Sequence, residues 1–343
     1  MSEDRVWRSL HVYRYGEQDA FLVDGVAPVI DGLRESGALA DFFFLRYWQG
    51  GHHVRVRLLL DRAQADAAVE EATGKLAAHL AGSPVHVDFD ADEFAEAAQP
   101  MMAAMEGERV QRLQPPDSIL EHPYEPEYAK YGGPRGVAVA ERYFGRSSAI
   151  VLDALRRTGG ASSKRLGAGF SMMLRGLCAA GLSAREMADF FAHYCVVWSP
   201  YVFDEFMAAW PDLLREREAA IGAHADALLS NRDALRGDPM HDAVRQAWTA
   251  ADDDVLDAVT LAGPDAPRAR RAQVLLVSYL HTHNNRLGLI PEHESFLGYL
   301  GHHVLSEWAG GEASADLLRD ADRYRKQRLG EYATTSGGQK TWT

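Results

Sequence analysis

A chain of 343 residues is long enough for one large domain or two, and a hydrophobic share of 47% with glycine and proline spread throughout marks a globular protein. Lysine and arginine number 36 against 49 aspartates and glutamates, a net charge of −13 that disfavours a nucleic-acid binder with a wholly basic surface but leaves room for a local basic groove. Cys178 and Cys195 are too few for a disulfide scaffold or a thiolate metal site, MSEDRVWRS is no signal peptide, and no apolar run is long enough to span a bilayer; a cytoplasmic protein acting away from membranes is expected.

Trp7 to Tyr15 alternates as a strand, with Leu10 and Val12 on one side and His11, Tyr13 and Tyr15 on the other. The stretch from Gly16 to Leu39 predicts a helix whose apolar face is Val26, Val29, Ile30 and Leu33, its regular part starting at Pro28. Phe42 to Tyr47 is a second strand, Trp48 to Gly51 a turn that uses the positive φ open to glycine, and His53 to Leu60 a third strand. On this last strand His53, Arg55 and Arg57 share one face and Val54, Val56 and Leu58 the other, so the pair reads as a hairpin with a basic face. An alanine-rich helix from Gln64 to Leu80 and a further strand from Val85 to Phe89 follow. The fold class is α+β: an antiparallel or mixed sheet with packed helices over residues 1–135, then a mainly helical region over 136–332 completing the same active-site cleft, then a loose tail over 333–343.

Between Met101 and Arg135 periodicity is weak, and the knot from Tyr124 to Gly133, which holds Glu127 and Tyr131, suits either a binding rim or an interdomain strap. Helices are predicted over Gly136 to Arg157 and Ser163 to Ala180, then after the capping-box pair Ser183 and Glu186 with Met187, Phe190, Tyr194 and Trp198 as a stripe. Ser199-Pro200 restarts the chain; the next helix is expected to break near Pro211 and resume through Leu214. Asp252 to Asp254 reads as a solvated helix start, and Glu294 to Trp308 and Ala315 to Leu329 close the series.

The chain is organised around SYLHTHNNRLGL, Ser278 to Leu289, entered by the apolar run Gln273 to Tyr279 and left through Gly288 and Pro291. At a helical period Val274, Ser278, His281 and Asn285 share one side and Val277, His281 and Asn284 an overlapping one, so a mostly buried helix gathers hydroxyl, imidazole and amide groups. Burying them is costly unless they bond each other or a substrate. No metal signature accompanies them: His281 and His283 diverge on a helix, as do His302 and His303, and neither a phosphate loop nor a nucleophile elbow is present in the sequence.

Five ordered blocks now carry a resemblance: LHVYRYG near the start, FFFLRYWQGGHHVRVRLLL at 42–60, YEPEYAKYGGP at 124–134, AERYF at 140–144 and SYLHTHNNRLG at 278–288. Together they resemble the lantibiotic-dehydratase C-terminal, or thiopeptide-type bacteriocin biosynthesis, family, which includes glutamate-elimination domains, stand-alone eliminases and pyridine synthases. Eliminases typically carry an arginine where this chain has Pro126, and an Asp-Ser pair where it has Ser147-Ser148. The RYWQGGHHVRVR form and the free-standing length are more similar to the pyridine synthases.

That resemblance implies a formal [4+2] cycloaddition joining two dehydroalanines of a leader-bearing, azole-containing peptide into a six-membered nitrogen ring, followed by loss of water and of the leader. Proximity supplies much of such an acceleration, roughly 7–11 kcal/mol at the ideal limit, and proton transfer serves the rest. His281 is then the proton shuttle, Ser278 and Asn284 orienting donors, Tyr131 a further phenolic donor, and Arg46, His53, Arg55, Arg57, Glu127, Asn285 and Arg286 the groups that hold the peptide. No metal or redox cofactor is required, no nucleic acid or membrane is a partner, and a homodimer is compatible with the chain. A stand-alone glutamate eliminase and a non-catalytic leader-binding protein are the alternatives.

Overall fold

The computed structural model describes residues 4–84, 90–158 and 162–335, so the strand expected at Val85 to Phe89 and the last eight residues of the expected tail lie outside the described residues. The chain divides into two compact units, one of Met1–Gly160, Ala250–Leu275 and Asn285–Gly288, the other of Ala161–Thr249, Leu276–Asn284 and Leu289–Thr343.

The first unit is built on a four-stranded, fully antiparallel sheet in the order β2-β3-β1-β4, with β1 at Arg5–Val12, β2 at Leu39–Tyr47, β3 at His53–Asp61 and β4 at Ile119–His122. Strict alternation decides its two faces. Leu10, Val12, Phe42, Phe44, Val54, Val56, Leu58 and Leu60 are buried on one, against α1 (Ala27–Glu35) and α2 (Ala65–Gly82). Each such side chain contributes about 1.5–3 kcal/mol on leaving water. The helical winding ahead of α1 starts earlier than Pro28: a wider turn over Phe21–Val26, in which the Ala27 N–H reaches the Leu22 carbonyl, leads into the regular helix. In the β2–β3 turn Gly51 has φ +107°, and a Cβ there would lie 2.1 Å from the Tyr15 hydroxyl, so only glycine fits.

β2 is an edge strand, and its outward backbone groups are taken by side chains. The Phe44 N–H donates to Ser148 Oγ (3.2 Å) from α3 (Gly133–Thr158). The Arg46 N–H donates to Asn285 Oδ1, and Asn285 Nδ2 donates back to the Arg46 carbonyl, both at 2.9 Å. The edge is thereby closed to further strand pairing.

In the second unit α4 (Ser162–Ala179) and α5 (Ala184–Trp198) are separated by the expected capping box, the Ser183 N–H donating to Glu186 Oε2 at 2.8 Å and the Glu186 N–H to Ser183 Oγ at 3.3 Å. The helix that follows the Ser199–Tyr201 turn, α6 (Asp204–Leu229), does not break at Pro211 as expected. An interior proline costs about 3 kcal/mol, but Met207, Trp210 and Leu214 are buried on both sides of it, with Trp210 packed on Phe296 and Tyr299 at ring separations of 5.6 and 5.5 Å. Burial of those side chains holds the helix through the defect. Helix α7 (Arg268–Leu287) carries the organising stretch, ends at Gly288 with φ +84°, and is followed by α8 (Pro291–Trp308). Among the described residues no helix is long and apolar enough to cross a membrane.

Replacing Ser148 by alanine should strand the Phe44 N–H in the core and lower the stability of the protein by about 1–3 kcal/mol, read from the urea midpoint. An unchanged midpoint would mean that the edge of β2 is satisfied in another way.

Candidate active site

In the second unit the polar cluster expected on α7 is assembled around a residue the sequence did not single out. Glu294, in the first turn of α8, is wholly buried. One of its oxygens, Oε1, accepts from the Tyr194 hydroxyl and from Asn284 Nδ2 (3.1 Å), while Oε2 faces His281 Nδ1 at 2.8 Å. Asn284 Nδ2 also lies 3.3 Å from the Tyr194 oxygen. An ionised carboxylate has only acceptors to offer, so all these partners donate to it. Burial and the Glu294 charge push Tyr194 well above the ordinary phenol range, which keeps its hydroxyl a donor.

This geometry requires α5 and α8 to approach closely. Gly298 and Gly301 permit it: a Cβ on the first would sit 2.4 Å from the Cys195 backbone nitrogen, and one on the second 2.5 Å from the Phe191 ring. His281 itself lies flat on the Trp198 indole, with ring centroids 4.1 Å apart and planes 20° apart. Its side chain remains 21% exposed while that of Glu294 has no exposure, and among the described residues Nε2 has no hydrogen-bond partner and is not a buried atom. A proton-transfer group needs this combination of a fixed ring and an accessible nitrogen. His283, two residues on, is buried with Nε2 at the Met172 sulfur, as divergence on a helix predicts.

In the first unit the face of the sheet opposite α1 and α2 carries the basic residues of β3. His53 is fixed as a neutral ring: Nδ1–H donates to the Gly51 carbonyl (2.8 Å) and Nε2 accepts from Arg55 Nε (3.1 Å). The rings of His11 and His122 stack at 4.3 Å, and those of His11 and His53 at 5.0 Å. The Arg55 guanidinium sits 3.5 Å over the Tyr47 ring and that of Arg57 4.7 Å over Tyr124, whose hydroxyl donates to Glu141 at 2.8 Å. Among the described residues neither arginine has a carboxylate at ion-pair distance, and burial lowers both below the usual guanidinium range. Glu108 acts on Arg55, and Glu127 and Glu141 on Arg57, only from beyond ion-pair distance, so two largely desolvated guanidinium groups keep donors that a carboxylate or carbonyl oxygens could take.

The other expected residues are placed as follows. Arg46 projects from the opposite face, where it pairs with Asp19 (2.6 Å) and donates to the Arg286 carbonyl (3.1 Å); Asn285 is engaged with its backbone. Arg286 is wholly buried, donating to Ser147 Oγ (3.3 Å) with its guanidinium 4.7 Å over the Phe144 ring. Tyr131 is buried edge-on to Phe144, and Glu127 is exposed beside Lys130. Ser278 is buried one turn before His281, its carbonyl accepting from Thr282. Asn284 spends its amide donor on Glu294 and Tyr194. Sequence reasoning passed over Tyr124, Glu141, Tyr194, Trp198 and Glu294 as site residues.

The profile of the Lantibiotic biosynthesis dehydratase C-term family matches residues 7–305. The chain belongs to that family. Within the lantibiotic dehydratase C-terminal fold, a solved structure described as the pyridine synthase TbtD from thiomuracin biosynthesis is 19% identical, with a TM-score of 0.70 over 89% of this chain and 99% of its own. TsrL is likewise 19% identical, at a TM-score of 0.62 over 92% of this chain and 99% of its own. The tRNA-dependent lantibiotic dehydratase MibB from Microbispora sp. 107891 is 21% identical at 0.50, the match covering 90% of this chain but 29% of MibB. No curated protein sequence matches the chain. At these identities the likeness is one of fold.

The imidazole stack makes the stability of this family member pH-dependent. Burial, reinforced by the Arg55 charge, lowers His11 to about 2 and His53 to about 3. Both are neutral when folded and take up a proton near the ordinary histidine value when unfolded, so their contribution is complete above that value and is lost as pH falls below it. The loss should be roughly 1 kcal/mol per imidazole between about pH 6.5 and 5.5. Urea midpoints across that window should fall more steeply for the parent protein than for His11→Phe; parallel slopes would contradict this assignment.

Proposed function

We propose that this protein is a pyridine synthase of thiopeptide maturation: it joins two dehydroalanines of a leader-bearing, azole-containing peptide by a formal [4+2] cycloaddition, then expels water and the leader. The observation that carries the reading is His281, an imidazole clamped by Trp198 and Glu294 with its outer edge open. Nε2 takes the proton from the amide nitrogen of one dehydroalanine and returns it to the oxygen of the carbonyl bonded to that nitrogen, giving the iminol of a 2-azadiene and leaving the imidazole neutral. After ring formation the neutral imidazole takes a proton from a ring methylene and, as imidazolium, gives it to the departing ring hydroxyl, which leaves as water and returns the imidazole to its neutral form. Similarity of fold to TbtD over nearly the whole of both chains supports the assignment.

The basic sheet face serves recognition in this reading, holding peptide carbonyls or acidic leader side chains through Arg55 and Arg57. The departures seen in the sequence agree with a function other than glutamate elimination. Ser147 and Ser148 stand where eliminases have an Asp-Ser pair, and here both are buried, one bound to Arg286 and the other to the β2 edge. One observation favours the eliminase reading instead: two arginines without carboxylate partners would also hold a glutamyl carboxylate.

Purified protein given a leader-bearing azole peptide with two dehydroalanines should yield a pyridine macrocycle and free leader, identified by mass spectrometry and NMR. Elimination of glutamate from a glutamylated serine peptide, with the dehydrated peptide left uncyclised, would establish the eliminase alternative. Tight peptide binding with no covalent change in either assay would establish a leader-binding protein.

A further inference from the structure

The contacts of Glu294 determine which nitrogen of His281 carries the proton. Tyr194 and Asn284 both donate into Oε1, so that oxygen is held by two donors from different helices. Oε2 is left facing His281 Nδ1 at 2.8 Å. A carboxylate has no hydrogen to give, so Nδ1 must be the protonated nitrogen of the neutral ring, and Nε2 must carry the lone pair. No described residue hydrogen-bonds Nε2. A flip of the ring about Cβ–Cγ would put Cδ2 at Glu294 in place of Nδ1 and lose the hydrogen bond.

From this we infer that Glu294 is a positioning residue: it sets His281 as the Nδ1–H tautomer, so that Nε2 meets the substrate as a base, and it faces the imidazolium that forms when Nε2 takes a proton. The inference rests on the reading of His281 as the proton-transfer group. Tyr194 and Asn284 act through Glu294 by fixing the orientation of its carboxylate, which is why Asn284 points into the protein and away from any ligand. The arrangement follows the logic of carboxylate-oriented histidines in hydrolytic triads, although nothing here supplies a serine nucleophile.

The two donors into Oε1 give a sharp consequence for Glu294→Gln. The amide oxygen must stay with Tyr194 and Asn284, which turns the amide NH2 toward His281. Nδ1 then becomes an acceptor and the ring proton moves to Nε2, converting a base into a donor with almost no change of shape. In a trypsin-like triad the corresponding carboxylate-to-amide change lowers turnover on the order of 10⁴-fold through the wrong tautomer, and a loss of that order is expected here.

The test is 15N NMR of histidine-labelled full-length protein, with His281 assigned by difference against His281→Ala, together with single-turnover cyclisation. The parent should show a pyrrole-like Nδ1 and a pyridine-like Nε2, Glu294→Gln the reverse, and Glu294→Asp, which keeps the charge, the parent pattern with partial activity. A parent His281 protonated on Nε2, or an unchanged tautomer in Glu294→Gln, would overturn the proposal, as would a reversed tautomer with undiminished turnover. The parent spectrum alone decides the tautomer should Glu294→Gln fail to fold. If the tautomers are as stated but no dehydrated peptide is cyclised, the orientation of His281 by Glu294 stands and the assigned reaction is what fails.

Discussion

A carboxylate with no exposure at all is the interaction on which the second unit depends. Burying an unpaired charge costs several kcal/mol, and Glu294 avoids that cost through three donors drawn from two helices: Tyr194 from α5, Asn284 and His281 from α7. Each donor constrains a backbone. The glycines at 298 and 301 exist at positions where any side chain would push α8 off α5 and withdraw Glu294 from Tyr194. Helix packing, the capping of α5 and the stack of His281 on Trp198 are thus parts of one arrangement, whose product is an imidazole with one nitrogen committed inward and the other presented outward.

The first unit follows the opposite electrostatic logic. Its arginines at 55 and 57 are covered by aromatic faces with no carboxylate at ion-pair distance among the described residues, and the imidazoles beside them are kept neutral by burial. A protein of net charge −13 that maintains two such cations does so at a cost in stability. Under the proposed function that cost is recovered when peptide oxygens occupy the face. Under the same proposal attraction there is local, while the net negative charge of the chain disfavours an acidic leader elsewhere.

Much of this was legible in the sequence, and the limits have physical causes. Alternation alone separated His53, Arg55 and Arg57 from Val54, Val56 and Leu58, because a strand pleat has a fixed period. The Ser183 and Glu186 capping box was legible because it is local. Glu294 was hidden by its position: an acidic residue in a first turn is what the helix dipole favours anyway, and its partner Tyr194 lies 100 residues away. Asn284 and Asn285 look equivalent in NNR, yet one orients a carboxylate and the other closes the edge of β2, a distinction made by about 100° of helical rotation. The four-residue β4 was too short to show a period, and Arg46 was read with His53, Arg55 and Arg57 as a peptide-holding group although its pairing with Val54 turns it to the other face.

The central claim is that the Glu294-bound imidazole moves the proton in the reaction. It is tested most directly by single-turnover conversion of a dehydrated, leader-bearing peptide by His281→Ala, with melting temperature and leader affinity measured on the same preparation. The account predicts near-parental folding and binding with turnover lost, and mass spectrometry then places the block: unchanged peptide before ring formation, hydroxylated ring after it. Near-parental turnover, or a rate loss no larger than the loss of folded protein, would contradict it.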